Sequence, residues 1–209
     1  MKPFYQHELE DLRTKLILIG EKANEAARLA IDGFLEDDLS KLSQAISLDD
    51  AIDELEVEID QASVRYITLR SPVSSDVRFI LVAIKASHDL ERAGDEAHNI
   101  ALRAKNILHQ DGRSGDTMTI KQMSQLTCLM MKDAITALVE KDLELAHAVI
   151  QRDKEVNALH KENFKILTIG SADDSETSTS FQKVFISKSI ERIADHAKNL
   201  AEEVIYLLK

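Results

Sequence analysis

Apolar residues recur at steps of three and four along most of the chain. Near the start, Leu9, Leu12, Leu16, Ile19, Ala23, Ala26, Ala27, Ala30 and Phe34 fall on one stripe, the spacing of a helix that buries one face. The pattern predicts a first helix over Glu8–Glu36, a second over Asp38–Leu69 and a third that runs through Arg78 to about Lys105. Pro72 blocks continuation of the second helix, since it lacks an N–H and its ring crowds the preceding turn. Ser74 or Ser75 can cap the third, and Asp76 suits the positive end of its dipole. Gly112, Gly115 and Gly170 lie in the polar stretches QDGRSGDT and GSADDSETSTS, which read as loops. Helices of this length predict antiparallel packing in a bundle. No strict seven-residue seam is present, which argues against a simple two-stranded coiled coil.

The pattern then repeats. FLEDDLSKLSQAISLDDAID (Phe34–Asp53) aligns without gaps to LVEKDLELAHAVIQRDKEVN (Leu138–Asn157) at an offset of 104. DLERAGDEAHNIA (Asp89–Ala101) aligns to SIERIADHAKNLA (Ser189–Ala201) at an offset of 100, so the shorter loop falls in the second half. Polar residues match as well as apolar ones: Glu36/Glu140, Asp38/Asp142, Asp49/Asp153, Glu91/Glu191, Arg92/Arg192, Asp95/Asp195 and Asn99/Asn199. Amphipathicity alone does not fix polar identity. The chain therefore reads as an all-α tandem repeat of two antiparallel three-helix bundles, the first over 1–109, a linker over 110–117 and the second over 118–209.

Composition agrees with this class. Aromatic residues make up 4% of the 209-residue chain and there are 2 prolines and 6 glycines, too few for a sandwich, barrel or parallel sheet. The net charge is −11, with 26 basic against 37 acidic residues, which disfavours generic binding to nucleic-acid phosphates. One cysteine, Cys128, excludes a disulfide framework and a Cys-based zinc site and suits a reducing cytosol. The opening MKPFYQHELEDL lacks an apolar h-region. The longest apolar run is FILVAI, Phe79–Ile84, far below the ~20 residues needed to cross a bilayer. A cytoplasmic location is expected.

The repeated polar set carries the candidate chemistry. Asp49-x-x-x-Asp53 on the second helix pairs with Glu91-x-x-x-Asp95 on the third; the echoes are Asp153-x-x-x-Asn157 and Glu191-x-x-x-Asp195. Residues four apart share a helix face, and like charges so placed repel by about 0.2–0.5 kcal/mol. A compensating positive charge is required, either arginines such as Arg92 and Arg192 or a hard cation held by carboxylate oxygens. Other patterns are weaker. Glu144-x-x-His147 and Asp95-x-x-His98 each resemble half of a di-iron motif, but neither histidine recurs in the other half, and both are expected at the surface. Ser87-His88-Asp89 suggests a phospho-accepting histidine, yet Lys188 stands at the equivalent position. No phosphate-cradling glycine loop or nucleophile–base set is present, so no enzymatic activity is expected.

The PVSSDVR turn (Pro72–Arg78), the paired DLERAGDEAHNIA and SIERIADHAKNLA segments, and Phe4, Glu8 and Leu9 near the start resemble the PhoU family over essentially the whole chain. The resemblance implies two tandem three-helix bundles and a non-enzymatic regulator of phosphate uptake and phosphate-starvation signalling. Its implied partners are the ATPase subunit of a phosphate ABC transporter and a sensor histidine kinase; it would be a homodimer, peripheral to the membrane through those partners alone. In some members the E(D)-x-x-x-D motifs bind metal, so iron, manganese, magnesium or zinc is implied at Asp49, Asp53, Glu91 and Asp95, and at Asp153, Glu191 and Asp195. Asn157 departs from the motif, and Asn99 and Asn199, one turn further along, are possible extra oxygen donors. Two rival readings are a histidine phosphorelay protein using His88 and a carboxylate metal-redox bundle.

Overall fold

The computed structural model of the chain describes residues 4–70, 72–109, 118–169 and 174–209, which form seven helices. These are α1 (Phe4–Leu35), α2 (Leu39–Ser47), α3 (Asp49–Arg70), α4 (Ser74–His109), α5 (Met118–Glu140), α6 (Leu143–Ile169) and α7 (Asp174–Leu208). The proposed linker 110–117 lies outside the described residues. α1, α2–α3 and α4 form the first three-helix bundle and α5, α6 and α7 the second. The halves share a continuous core: α4 packs along α7, and α1 against α5.

The long helices follow from the apolar stripes. All nine stripe residues of α1 face inward, with Leu12, Leu16, Ile19, Phe34 and the four alanines buried and Leu9 packed at the margin. On α4 the buried row is rich in alanine (Ala83, Ala86, Ala93, Ala97, Ala101, Ala104). Small side chains bring backbones close, as Gly20 shows: a Cβ there would stand 2.6 Å from Ile135 Cδ1 across the two halves. α4 opens at Ser74 itself, and the Val73 carbonyl accepts from the Asp76 and Val77 N–H groups.

The duplication extends to backbone conformation. Asp37 and Lys141 both adopt positive φ, at 54° and 58°. The next residue in each half bonds back to the carbonyl five positions earlier, Asp38 N–H to Gly33 at 2.8 Å and Asp142 N–H to Ala137 at 3.0 Å. That bond closes a helix C-terminus around a left-handed residue. The same aspartates then cap the following helix. Asp38 accepts from the N–H groups of Ser40 and Lys41, and Asp142 from that of Leu145.

The predicted second helix is interrupted. It breaks at Leu48, so α3 begins at Asp49, whereas α6 runs unbroken through the equivalent Arg152. Local sequence accounts for the difference. Ser47-Leu48-Asp49-Asp50 places two acids where a helix N-terminus favours them, while Gln151-Arg152-Asp153-Lys154 has good helix formers and no such pair.

Candidate metal centre

Because α3 and α4 run antiparallel after a tight turn, their polar faces meet as a ladder. α3 contributes Asp49, Asp53 and Glu56, at steps of four and three; α4 contributes His88, Glu91, Asp95 and His98, at steps of three, four and three. Beneath the ladder, a Cβ on Gly94 would stand 2.9 Å from Ile52 Cδ1. Glycine at this position is what lets α3 approach α4 closely enough to crowd the carboxylates.

The crowding is visible in the proton affinities. Burial pushes the Asp53 carboxyl above its ordinary pKa, and the charges of Asp49, Asp95 and Glu56 push further. Burial likewise raises Glu91, with Asp95 and Glu56 adding repulsion that the nearby His88 partly offsets. Asp95 is raised by burial and Asp49, against opposing pulls from Arg92 and His98. At one end of the ladder Asp49 Oδ2 lies 2.6 Å from His98 Nδ1. His98, expected at the surface, is half-buried because it answers this carboxylate. At the other end, His88 Nδ1 stands 3.2 Å from Glu56 Oε1 and 3.9 Å from Glu91 Oε2. Ligand atoms of Glu56, His88 and Glu91 all lie within 4.8 Å of one another, close enough to hold one ion together.

The second face repeats the spacing with different chemistry. α6 offers Asp153, Asn157 and His160, and α7 offers Lys188, Glu191, Asp195 and Lys198. Lys188 pairs with Glu191, and Lys198 Nζ lies 3.5 Å from Asp153 Oδ2, which also accepts from Asn157 Nδ2 at 3.0 Å. Asp195 is raised by burial and by Glu191 and Asp153, with both lysines pulling the other way. Burial lowers the pKa of His160, whose Nδ1 sits 2.9 Å from Ser187 Oγ. One oxygen of the buried Asp153 has no hydrogen-bond partner among the described residues.

Of the two compensating charges anticipated, the arginines act at the margin, Arg92 by lowering Asp95. Arg92 donates to His88 Nε2 at 3.1 Å, and Arg192 reaches Glu96 of the other half at 2.9 Å. Lys188 and Lys198 neutralise the second face instead. The first face has five carboxylates, two imidazoles and no lysine. A cation fits the first donor set, in which three carboxyls resist ionisation without one. The second face supplies much of its own positive charge.

The remaining expected residues divide. Asn99 is exposed beside the first ladder, whereas Asn199 donates to Asp89 of the first half at 3.0 Å. Asp89 also faces His196 at 2.9 Å, so this asparagine serves the seam between α4 and α7. Glu144 and His147 are exposed on α6. Glu56 is the residue missed: it lies three positions beyond Asp53, a step that a search limited to pairs four apart passes over.

Comparison with known proteins decides the family. The PhoU domain model matches residues 16–104 and again 120–204. The chain belongs to the PhoU family. Relatives include the phosphate-specific transport system accessory protein PhoU homolog of Pseudomonas aeruginosa, 32% identical over 98% of this chain and 85% of that protein. The PhoU homolog of Clostridium acetobutylicum is 32% identical over 99% of this chain and 95% of its own. The crystal structure of PhoU from Pseudomonas aeruginosa superposes with a TM-score of 0.93 at 33% identity, covering 98% of both chains. That of the Streptococcus pneumoniae phosphate transport system regulatory protein PhoU gives 0.90 at 24% identity over 98% of this chain and 97% of that one, a match of fold. The two PhoU matches fall one on each bundle. Among the described residues no helix is long and apolar enough to cross a membrane.

Proposed function

We propose that this chain is a non-catalytic regulator that restrains phosphate uptake and the phosphate-starvation response. It would act from the cytoplasmic side as a homodimer, through contact with the ATPase subunit of the phosphate transporter and with a sensor histidine kinase. The observation that carries the reading is its 32% identity, over nearly its whole length, to relatives named as phosphate-specific transport system accessory proteins. Deletion of the gene should raise expression of phosphate-starvation genes in phosphate-rich medium. Unchanged expression there overturns the regulatory reading.

The acidic faces belong to the same proposal. Asp49, Asp53, Glu91 and Asp95 would hold a di- or trivalent cation through carboxylate oxygens, the ion offsetting the burial and the mutual repulsion that together raise three of their pKa values. Asp153, Glu191 and Asp195 would bind more weakly, since Asn157 brings no charge and Lys188 and Lys198 already stand among them. The repeat boundary is proposed between 109 and 118.

A further inference from the structure

We propose that a cavity where the two halves meet, beside the first turn of α4, binds a small anion carrying phosphate groups. Arg13, Arg78 and Lys141 would hold it. The site uses no residue of the acidic faces and does not depend on the regulatory reading.

The cavity has a volume of about 470 Å³, within the range of small-molecule sites. Its walls come from distant parts of the chain. α1 brings Arg13, the start of α4 brings Ser74, Ser75, Asp76 and Arg78, and the corner between α5 and α6 brings Lys141. The PVSSDVR turn thus sets two hydroxyls and a guanidinium beside cations from both halves.

These cations are not neutralised within the chain. The net charge is −11, and Lys15, Arg28, Lys41 and Arg70 all pair with carboxylates. Among the described residues no carboxylate forms an ion pair with Arg13, Arg78 or Lys141. The two guanidiniums lie over aromatic rings instead, Arg13 5.0 Å from the centre of Phe79 and Arg78 5.5 Å from that of Tyr206. An aromatic face positions a guanidinium without cancelling its charge, so its N–H fork stays available to oxygen. Asp76 is the one acid of this lining among the described residues, and it accepts from the Tyr66 hydroxyl at 3.4 Å. Positive charge prevails in the cavity.

The donors select the ligand. Two guanidinium forks, an ammonium and two hydroxyls approach from several elements. A phosphate group presents oxygens on all sides and up to two negative charges, whereas a carboxylate presents one charge and two coplanar oxygens. Duplication separates this charge from the architecture. Lys141 stands at the positive-φ position that Asp37 takes in the first half. At the offsets of the repeat, Thr117 and Ser178 stand opposite Arg13 and Arg78, so the equivalent corner has no cation at these three positions. Aspartate is among the residues enriched at positive φ and lysine is not; the corner carries a cation that its backbone does not favour.

The test titrates the full chain, stripped with chelator, with inorganic phosphate, ADP and citrate by calorimetry at one fixed ionic strength. Saturable binding of phosphate or ADP is expected, with citrate bound roughly tenfold more weakly. The tighter of the first two assigns the ligand as free phosphate or as phosphate on an organic body. Arg13→Gln, Arg78→Gln and Lys141→Asp should each weaken that binding roughly tenfold or more. Lys154→Gln, which removes an exposed lysine of α6 that does not line the cavity, should leave it unchanged. Lys141→Asp installs the residue that the first half carries in the same backbone conformation, and circular dichroism melting checks the folding of all four variants. Absence of saturable phosphate or ADP binding by wild type overturns the site. Citrate binding as tight as phosphate overturns it too, as does a loss in Lys154→Gln equal to that in the cavity variants, since both mark general attraction to surface charge. The deletion strain judges the regulatory reading by a separate readout.

Discussion

His98 and Lys198, one hundred positions apart, occupy the same place on the third helix of each half and meet the same partner differently. His98 Nδ1 lies 2.6 Å from Asp49 Oδ2, and Lys198 Nζ lies 3.5 Å from Asp153 Oδ2. The pair at His88 and Lys188 repeats the exchange. In both places an imidazole in the first half is replaced by a lysine ammonium in the second. One half sets imidazoles beside its acids, and the other sets lysine ammonium groups among them.

Metal stoichiometry should follow this exchange. Wild type should bind tightly in the first half, and Asp53→Asn should weaken that binding. The combined change Asn157→Asp, Lys188→His and Lys198→His should give the second half the four motif carboxylates of the first and remove both lysines, with His160 still standing where the first half has Glu56. Calorimetric titration should then detect additional binding at least tenfold tighter than any wild-type binding on that face. If the combined variant gains nothing, lysines 188 and 198 are not what closes it.

A second relationship concerns packing beneath the ladders. Gly94 and Ile52 meet in the first half, where a Cβ on Gly94 would stand 2.9 Å from Ile52 Cδ1. The equivalent residues in the second half are Ala194 and Val156, both buried. One methyl has been gained on one helix and one carbon lost from the other. Gly94→Ala alone should destabilise by up to about 2 kcal/mol, an overpacking cost of about 1–3 kcal/mol offset by the roughly 1 kcal/mol that alanine gains over glycine inside a helix. Adding Ile52→Val should recover part of that loss, although Ile→Val alone typically costs about 0.5–1.5 kcal/mol. Urea unfolding of the four proteins of this cycle measures the coupling. Strict additivity would show that the two sites do not compensate.

Cys128, partly buried on α5, gives a chemical readout of its packing. Burial pushes its thiol up to about 11, although the Ser124 side chain pulls the other way. Relative to an ordinary thiol near pKa 9.0 this leaves about a hundredfold fewer thiolates at pH 8, and the thiolate is the reactive form. Alkylation of the native protein by iodoacetamide should therefore be at least a hundredfold slower than of the urea-unfolded chain, and should accelerate with pH well beyond 9. Equal rates in the two states would contradict the burial.

The fold was legible because apolar periodicity and turn chemistry both recur at a constant offset. The PhoU domain matches over 16–104 and 120–204 then fall on the two halves. The interruption at Leu48 was harder to see, since the apolar pattern continues across it and the cue is two adjacent acids. The candidate face was half legible. Acids four apart stood out, but Glu56 follows at a step of three, and no single-helix pattern shows that it meets His88. Lys188 stands opposite His88 in the alignment, but only its pairing with Glu191 in space shows that it neutralises the face. Lys198 reaches Asp153 only because α6 and α7 pack together, a contact that no single-helix spacing shows.

Asp53, a proposed ligand, also couples the acidic face to the stability of the fold. Its pKa is raised in the folded chain by burial and by Asp49, Asp95 and Glu56, so folding disfavours its charged form. The sign follows directly. Below the unfolded pKa the group is protonated in both states and costs nothing. Above the folded pKa it is charged in both, and the repulsion weighs fully on the native state. Asp53→Asn should therefore stabilise the metal-free protein at pH 7 by a few tenths of a kcal/mol, on the scale of about 0.2–0.5 kcal/mol for like charges one helical turn apart. The gain should fade as pH falls through the folded pKa and vanish near pH 3. With saturating metal the order should invert, because wild type gains the binding free energy and the variant gains less. Urea unfolding with chelator at pH 7 and pH 3, then with metal at pH 7, supplies the three comparisons. A variant less stable than wild type at pH 7 in chelator would show that Asp53 is satisfied without a cation, and the metal role of this carboxylate would fall with it.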